Sequence, residues 1–333
     1  MSELAPTRER HFPRTSAVRR AGIASIAAAI PPRVVTNAPI AERLGIDPQW
    51  IVERTGISER HVLGEGETLL DLAQSAAERA LDAADVVGSD LDQILVATVT
   101  HDRLTPALAP MLATRLHSNA GAMDVNAACT GFVNALALAT AQIEAGHADR
   151  ILVVGAERLA SHVDPDDRAT AALFGDGAGA VVVGEATGAG IGPFALGSDG
   201  SLSELITAER DEAIVHMQGH DTFREAVDRM SQAARQAAQA ANVEIEQIDH
   251  FVFHQANARI LAALTRRLGL DPARVAESIS RFGNTSAASI PITLCDAVDA
   301  GAIQRGDTVL LAAFGAGLTW GATVIEWEAR GEC

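Results

Sequence analysis

The sequence contains no lysine; all 26 of its basic residues are arginine. Schiff-base, pyridoxal-phosphate and Walker-type phosphate chemistry each require a lysine amine, so all three are excluded. Tyrosine is also absent, which removes phenol acid–base catalysis. Cysteine is scarce: Cys129, Cys295 and Cys333 are odd in number and widely spaced, which suits a reducing cytoplasm and not a disulfide framework. No stretch reaches the roughly 18 uncharged apolar residues that cross a bilayer, so no membrane span is expected. The segment nearest to a targeting signal is Arg14, Arg19 and Arg20 followed by the apolar run from Ala21 to Ile30. Glu3 and Glu9 upstream and Pro31-Pro32 downstream argue against a signal peptide, leaving a short tail over 1–20 ahead of a buried strand. Positive charge is in deficit, with 43 acidic residues giving a net −17, so nucleic acid is excluded as the main partner. A local basic patch that docks an acidic protein is still compatible with that total.

What is present is a 333-residue chain, 48% hydrophobic, long enough for one large domain or two fused ones. An internal repeat favours two. A helical pattern from Leu69 to Val87 leads to Leu91-Asp-Gln-Ile-Leu-Val-Ala-Thr, and one from Phe223 to Val243 leads to Ile248-Asp-His-Phe-Val-Phe-His. Asp92 and Asp249 align at an offset of 157 residues, and Asp149-Arg-Ile-Leu-Val-Val aligns with Asp307-Thr-Val-Leu-Leu-Ala at 158. Helical stretches over 131–146 and 287–301 precede the second pair, and Phe174-Gly-Asp-Gly and Phe314-Gly-Ala-Gly follow it. Alternation of helix and strand explains the order of elements but not the agreement of offsets. Continuously apolar strands such as Ile151 to Val154 and Val181 to Val183 call for cover on both faces. The expectation is an α/β protein of two duplicated halves, over 21–190 and 191–333, with a site built where they meet.

Four positions can carry chemistry. Cys129 lies where an extended stretch passes into the helix over 131–146, and a helix N-terminus stabilises thiolate and lowers the thiol pKa. Position alone leaves two readings open, a nucleophile and an inert buried thiol. Cys295 sits among apolar neighbours in mid-helix and reads as structural, and Cys333 as a mobile end. His254 closes the apolar strand Phe251-Val-Phe, where strand ends line crevices, although a lone histidine there more often serves the structure. Asn284 stands in a Gly-rich turn, a context in which asparagine commonly caps a helix. Gly175-Asp-Gly-Ala-Gly-Ala fits a dinucleotide fingerprint formally, but the apolar strand that follows removes the required helix, leaving a tight turn between packed elements. Gly315 can present a backbone N–H as half of an oxyanion hole.

Taken together, Asn126-Ala-Ala-Cys-Thr-Gly-Phe, Phe174-Gly-Asp-Gly-Ala-Gly-Ala, His254-Gln-Ala-Asn, Gly283-Asn-Thr-Ser-Ala-Ala-Ser and Phe314-Gly-Ala-Gly-Leu-Thr-Trp-Gly resemble the β-ketoacyl-acyl-carrier-protein synthase III family over about residues 20 to 328. The resemblance implies a thiolase-like, five-layered αβαβα fold of two duplicated halves and a homodimer. It implies Cys129 as the nucleophile that takes an acyl group from acyl-coenzyme A, and His254 and Asn284 as donors to the thioester carbonyl of malonyl-acyl carrier protein. Loss of CO₂ would leave an enolate that attacks the acyl-Cys129 thioester, with the amides of Cys129 and Gly315 holding the tetrahedral oxyanion. Trp50, Arg54 and Arg168 would contact coenzyme A, and Arg224, Arg259, Arg266 and Arg267 would rim the carrier-protein docking site. No metal and no permanently bound cofactor are implied.

The sequence departs from that pattern at Ala312, where glutamate is frequent, and at Gly315-Ala-Gly-Leu, where three glycines and a phenylalanine are usual. Leu104-Thr-Pro-Ala-Leu-Ala-Pro lacks the aromatic often present, and Glu209 to His220 is shorter and more acidic. These changes bear on which acyl group is taken. The nearest alternative is acyl transfer to a small O or N acceptor without decarboxylation. A papain-like hydrolase shares the Cys, His, Asn order, but the local signature around its cysteine is absent and the duplication has no place there. A non-catalytic partner subunit would commonly lack one of the three residues, and all three are present.

Overall fold

A computed structural model describes residues 19–329. Most of the expected tail over 1–20, and Cys333, lie outside the described residues.

The first half opens with β1 (Ala21–Ala29), a small antiparallel ribbon of β2 (Arg33–Thr36) and β3 (Glu59–Val62), and between them α1 (Asn37–Leu44) and α2 (Pro48–Thr55). It continues through α3 (Leu69–Ala83), β4 (Gln93–Ala97), α4 (Leu108–Arg115), β5 (Gly121–Val125), α5 (Gly131–Glu144), β6 (Ile151–Arg158) and β7 (Asp176–Glu185). The second half contains β8 (Ile191–Ser198), the short pair β9 (Ile206–Ala208) and β10 (Val215–Met217), and α6 (Gly219–Ala240). It ends with β11 (His250–Phe253), α7 (Ala258–Leu268), α8 (Ile279–Phe282), α9 (Ser289–Asp299), β12 (Thr308–Gly315) and β13 (Thr319–Glu326).

Local chemistry explains where these elements start and stop. Thr68 and Asp71 form a reciprocal capping box that starts α3, satisfying two otherwise orphaned N–H groups. The expected helix over 131–146 starts as expected and ends at Glu144 as α5, the one over 287–301 is trimmed to α9 with a short 3₁₀ turn taking its first residues, and α6 begins four residues before Phe223, at Gly219. The glycines after Phe174 do not form the expected turn. Gly177 and Gly179 lie inside β7, which starts after Gly175, and a methyl group on Gly179 would sit 2.7 Å from Pro291 Cβ and one on Gly177 2.6 Å from Ile292 Cδ1. Glycine there lets α9 press directly on the strand.

Five strands form one sheet in the order β1-β7-β6-β4-β5, and four form another in the order β11-β12-β13-β8. Read from the other edge, the second sheet repeats the first. β8, β13, β12 and β11 take the places and directions of β1, β7, β6 and β4, and a parallel bridge from Phe251 to Val275 stands where β5 would be. The aligned aspartates do the same work in both halves. Asp92 accepts the Asp149 and Arg150 amides at 2.5 and 3.2 Å, and Asp249 accepts the Thr308 amide at 2.8 Å. Helix α3 covers the outer face of the first sheet and α6 that of the second, while α5 and α9 lie between the sheets and touch both. The result is the five-layered αβαβα arrangement, with one apolar core in the middle and one under each outer layer. Among the described residues no helix is long and apolar enough to cross a membrane.

Candidate active site

Between β5 and α5 the chain makes a turn with Ala128 in the left-handed region at φ 47°, and Cys129 follows it, two residues before α5 starts. The turn is fixed to the second half. Thr130 Oγ1 lies 2.7 Å from the Ala127 carbonyl and 2.9 Å from Thr319 Oγ1 on β13. A methyl group on Gly315, the last residue of β12, would sit 2.8 Å from the Cys129 amide nitrogen, so only glycine admits the two backbones this close. The duplicated turn is built the same way. Ser286, at φ 48°, opens the 3₁₀ turn over Ser286–Ala288 ahead of α9, as Ala128 opens the one over Ala128–Thr130 ahead of α5.

Cys129 is half-buried, just ahead of the N-terminus of α5. Burial is the largest influence and pushes the thiol up from 9.0 to about 11, the charge of Glu157 adding to the rise and a hydrogen bond with Ser286 opposing it. The N-terminus of α5, which favours thiolate, acts against that rise.

Asn284 is buried, and its backbone is clamped by the Phe174-Gly175 segment: its amide donates to the Leu173 carbonyl at 2.9 Å, and Gly175 donates to its carbonyl at 3.1 Å. Its side-chain Oδ1 accepts the Ser286 amide at 2.9 Å, which aims Nδ2 away as a donor. His254, also buried, follows β11 and donates its amide to the Ala312 carbonyl at 2.8 Å. Ser289 Oγ lies 2.6 Å from His254 Nδ1 and accepts the Gln255 amide at 3.4 Å. The serine hydroxyl can accept the Gln255 amide and still donate to Nδ1, and in that tautomer Nε2 carries the ring proton. Burial pulls the imidazole down from 6.5 to about 3, so it is neutral at physiological pH and serves as a fixed donor.

Glu157, at the end of β6, is a site residue that the sequence motifs do not mark. It is fully buried and accepts hydrogen bonds from Thr100 Oγ1 at 2.6 Å, the Val99 amide at 3.2 Å, Thr98 Oγ1 at 3.3 Å and Ser286 Oγ at 3.3 Å. The 158-residue offset places it opposite Gly315, the residue beside Cys129, and that correspondence is the signal by which the sequence could reveal it.

The remaining expected positions fall into three places. Arg54 stacks over the Trp50 ring at 5.2 Å on α2, and Arg168 reaches the Leu44 carbonyl at the end of the neighbouring α1, so these three share one flank. Arg259 lies over the Phe223 ring at 5.9 Å, next to Arg224 on α6. The end of α2 abuts α7 here, through Asn257 Nδ2 donating to the Arg54 carbonyl at 3.1 Å. Arg266 and Arg267 sit at the far end of α7, separated from Arg259 by about 10 Å of helix. Arg267 pairs with Asp228 at 2.8 Å, and Arg224 with Asp221 at 3.6 Å and Glu225 at 3.5 Å. The four arginines therefore form two groups. Cys295 packs into the middle core on α9. Ala312 is buried in mid-strand of β12, Leu318 is buried, and Leu104 is 79% exposed.

Comparisons with known proteins agree with this geometry. Residues 123–200 match the family model for 3-oxoacyl-[acyl-carrier-protein (ACP)] synthase III, and 238–327 match the model for its C-terminal part. The chain is 45% identical over 315 residues to β-ketoacyl-[acyl-carrier-protein] synthase III 2 of Streptomyces coelicolor, covering 93% of this chain and 95% of that one. The solved structure of 3-oxoacyl-(acyl carrier protein) synthase III from Pseudomonas aeruginosa superposes with a TM-score of 0.89 at 39% identity, covering 93% and 99% of the two chains. The priming β-ketosynthase of the R1128 polyketide pathway superposes with a TM-score of 0.90 at 34% identity, covering 95% and 99%. Matched by both family models and by a relative 45% identical over 93% of its length, this chain belongs to the β-ketoacyl-[acyl-carrier-protein] synthase III family.

Proposed function

We propose that the chain joins an acyl group from acyl-coenzyme A to the malonyl unit of malonyl-acyl carrier protein, with loss of CO₂, priming fatty-acid or polyketide chains. Cys129 takes the acyl group as a thioester. The amides of Cys129 and Gly315 hold the oxyanion formed as sulfur attacks, because two preorganised N–H donors act most strongly on an oxygen that gains charge. His254 Nε2–H and Asn284 Nδ2–H bind the malonyl thioester carbonyl and stabilise the enolate left when CO₂ departs. Their neutrality suits this, since a donor that kept its proton firmly would not quench the enolate carbon. The carbanion then displaces Cys129, and no cofactor enters the sequence of steps.

One observation carries the reading: the Gly315 backbone, the Cys129 turn and the Asn284–Ser286 turn converge at one seam between the halves. In this reading Trp50, Arg54 and Arg168 contact coenzyme A, and Arg224 and Arg259, with Arg266 and Arg267 further along α7, meet an acidic carrier protein, where charge complementarity chiefly sets encounter rate and register. The open edge of β5, with Met123 exposed, supports a homodimer joined along that edge.

Intact-mass measurement after mixing with short acyl-coenzyme A esters tests the assignment. The wild type gains one acyl increment and Cys129→Ala gains none. Asn284→Ala and His254→Ala lose condensation, read as CO₂ release from malonyl-carrier protein, far more than acylation. An increment on Cys129→Ala, or equal loss of both half-reactions in the Asn284 variant, contradicts these roles. Acyl transfer without CO₂ release would favour an O or N acceptor.

A further inference from the structure

The acyl-thioester reading leaves one proton without a destination. Cys129 must lose its thiol proton before it attacks, the thiol is held high by burial, and His254 is a neutral donor whose Nδ1 is occupied by Ser289. The turn that carries Ser286 packs against the turn that carries Cys129, and the serine hydroxyl favours the thiolate. The same hydroxyl donates to Glu157 Oε1 at 3.3 Å. A serine hydroxyl can accept from one group while donating to another, so Ser286 can link the sulfur to the carboxylate.

Among the described residues no cation pairs with Glu157. Its other partners are the hydroxyls of Thr98 and Thr100 and the Val99 amide, none of which titrates near neutrality. Arg158, next along β6, turns to Asp102 at 2.8 Å. On the adjacent β7, Asp176 is occupied by the Leu63 and Ala160 amides. From the turn before α5 the titratable group facing it is Cys129 itself, and the turn before α9 presents Ser286. A buried carboxylate with donors but no cation gains by taking up a proton, and burial accordingly holds Glu157 at about 7, up from 4.5.

We propose that Glu157, acting through Ser286, accepts the Cys129 proton during acylation and returns it after condensation. In the first half-reaction the S–H bond breaks, its proton passes to Ser286 Oγ, and the serine's own proton passes to Glu157 Oε1. The sulfur electron pair forms the new C–S bond, the bond to coenzyme A breaks, and the departing thiolate takes a proton from solvent. In the second, the enolate displaces Cys129 as thiolate, and the proton held on Glu157 returns through Ser286 to sulfur. Glu157 is thus a positioning residue that stores one proton between the two half-reactions.

The test is the rate of coenzyme A release on acylation, without malonyl-carrier protein, as a function of pH. In the wild type that rate rises with pH and levels off above about 7. In Glu157→Gln, which keeps the shape of the side chain but not its basicity, the rate at pH 7 falls about 100-fold and climbs on into the alkaline range. The near-ultraviolet circular-dichroism spectrum of Glu157→Gln stays native, and a collapsed pocket would change it. Ser286→Ala gives the same acylation loss if Glu157→Gln does not fold. Undiminished acylation in a folded Glu157→Gln, or a wild-type profile with no bend near neutrality, overturns the proposal. A wild type that forms no acyl adduct refutes instead the nucleophile assignment beneath it.

Discussion

At Gly315 a single methyl group decides whether two backbone amides can face one oxygen. Alanine there would drive its Cβ to 2.8 Å from the Cys129 amide nitrogen, and the turn has no flexible side chain with which to yield. Gly315→Ala is expected to slow coenzyme A release about 100-fold, the effect of losing one oxyanion donor, while the circular dichroism spectrum stays native. Residues of this kind are readable in the sequence because their motifs are contiguous: Cys129, His254, Asn284 and Gly315 each stand in a short run of distinctive neighbours. The thiol's acidity is not readable there. It depends on how much of the sulfur the fold encloses and on a carboxylate 28 residues away along the chain. Glu157 stands in no such run, and apart from the duplication offset nothing in the sequence marks it, since its partners come from segments around 98–100 and 286.

The elements are legible where periodicity and capping speak, and less so where packing decides. Apolar runs become β6 and β7, and the Ala-rich patterns become α3, α5, α6 and α9. The glycines of β7 look like a turn in the sequence because a strand pressed by a helix needs the same absence of side chains that a turn tolerates. Gly155 on β6 shows the constraint most sharply: a methyl group there would lie 2.4 Å from the Ala287 carbonyl oxygen in the turn before α9. Backbone cannot rotate away as a side chain can. Gly155→Ala is expected to destabilise the fold by about 2–3 kcal/mol, seen as a lower urea midpoint with an unchanged slope. It should also disturb Ser286 and so slow acylation.

For the molecule as a whole, two buried groups set opposing responses to acid. His254 binds its proton in the unfolded chain near 6.5 but in the fold only near 3, so stability falls as pH drops between those values. Glu157 binds in the fold near 7 but in the unfolded chain near 4.5, so its contribution is complete below 4.5 and is lost as pH rises through about 7. Between 6.5 and 4.5 the two nearly cancel, and below 4.5 the histidine acts alone. Relative to His254→Asn, the wild type should lose about 1.4 kcal/mol of unfolding free energy per pH unit from 6.5 towards 3, measured by urea titration at a series of pH values. A difference that did not vary with pH would contradict this. The duplication itself is legible from two matching offsets, and what those offsets do not convey is which copies meet. α5 and α9 are walls common to two rooms. Any breathing motion that parts them admits water to the loaded thioester, so slow hydrolytic leakage of the acyl group would gauge how firmly the two rooms stay closed.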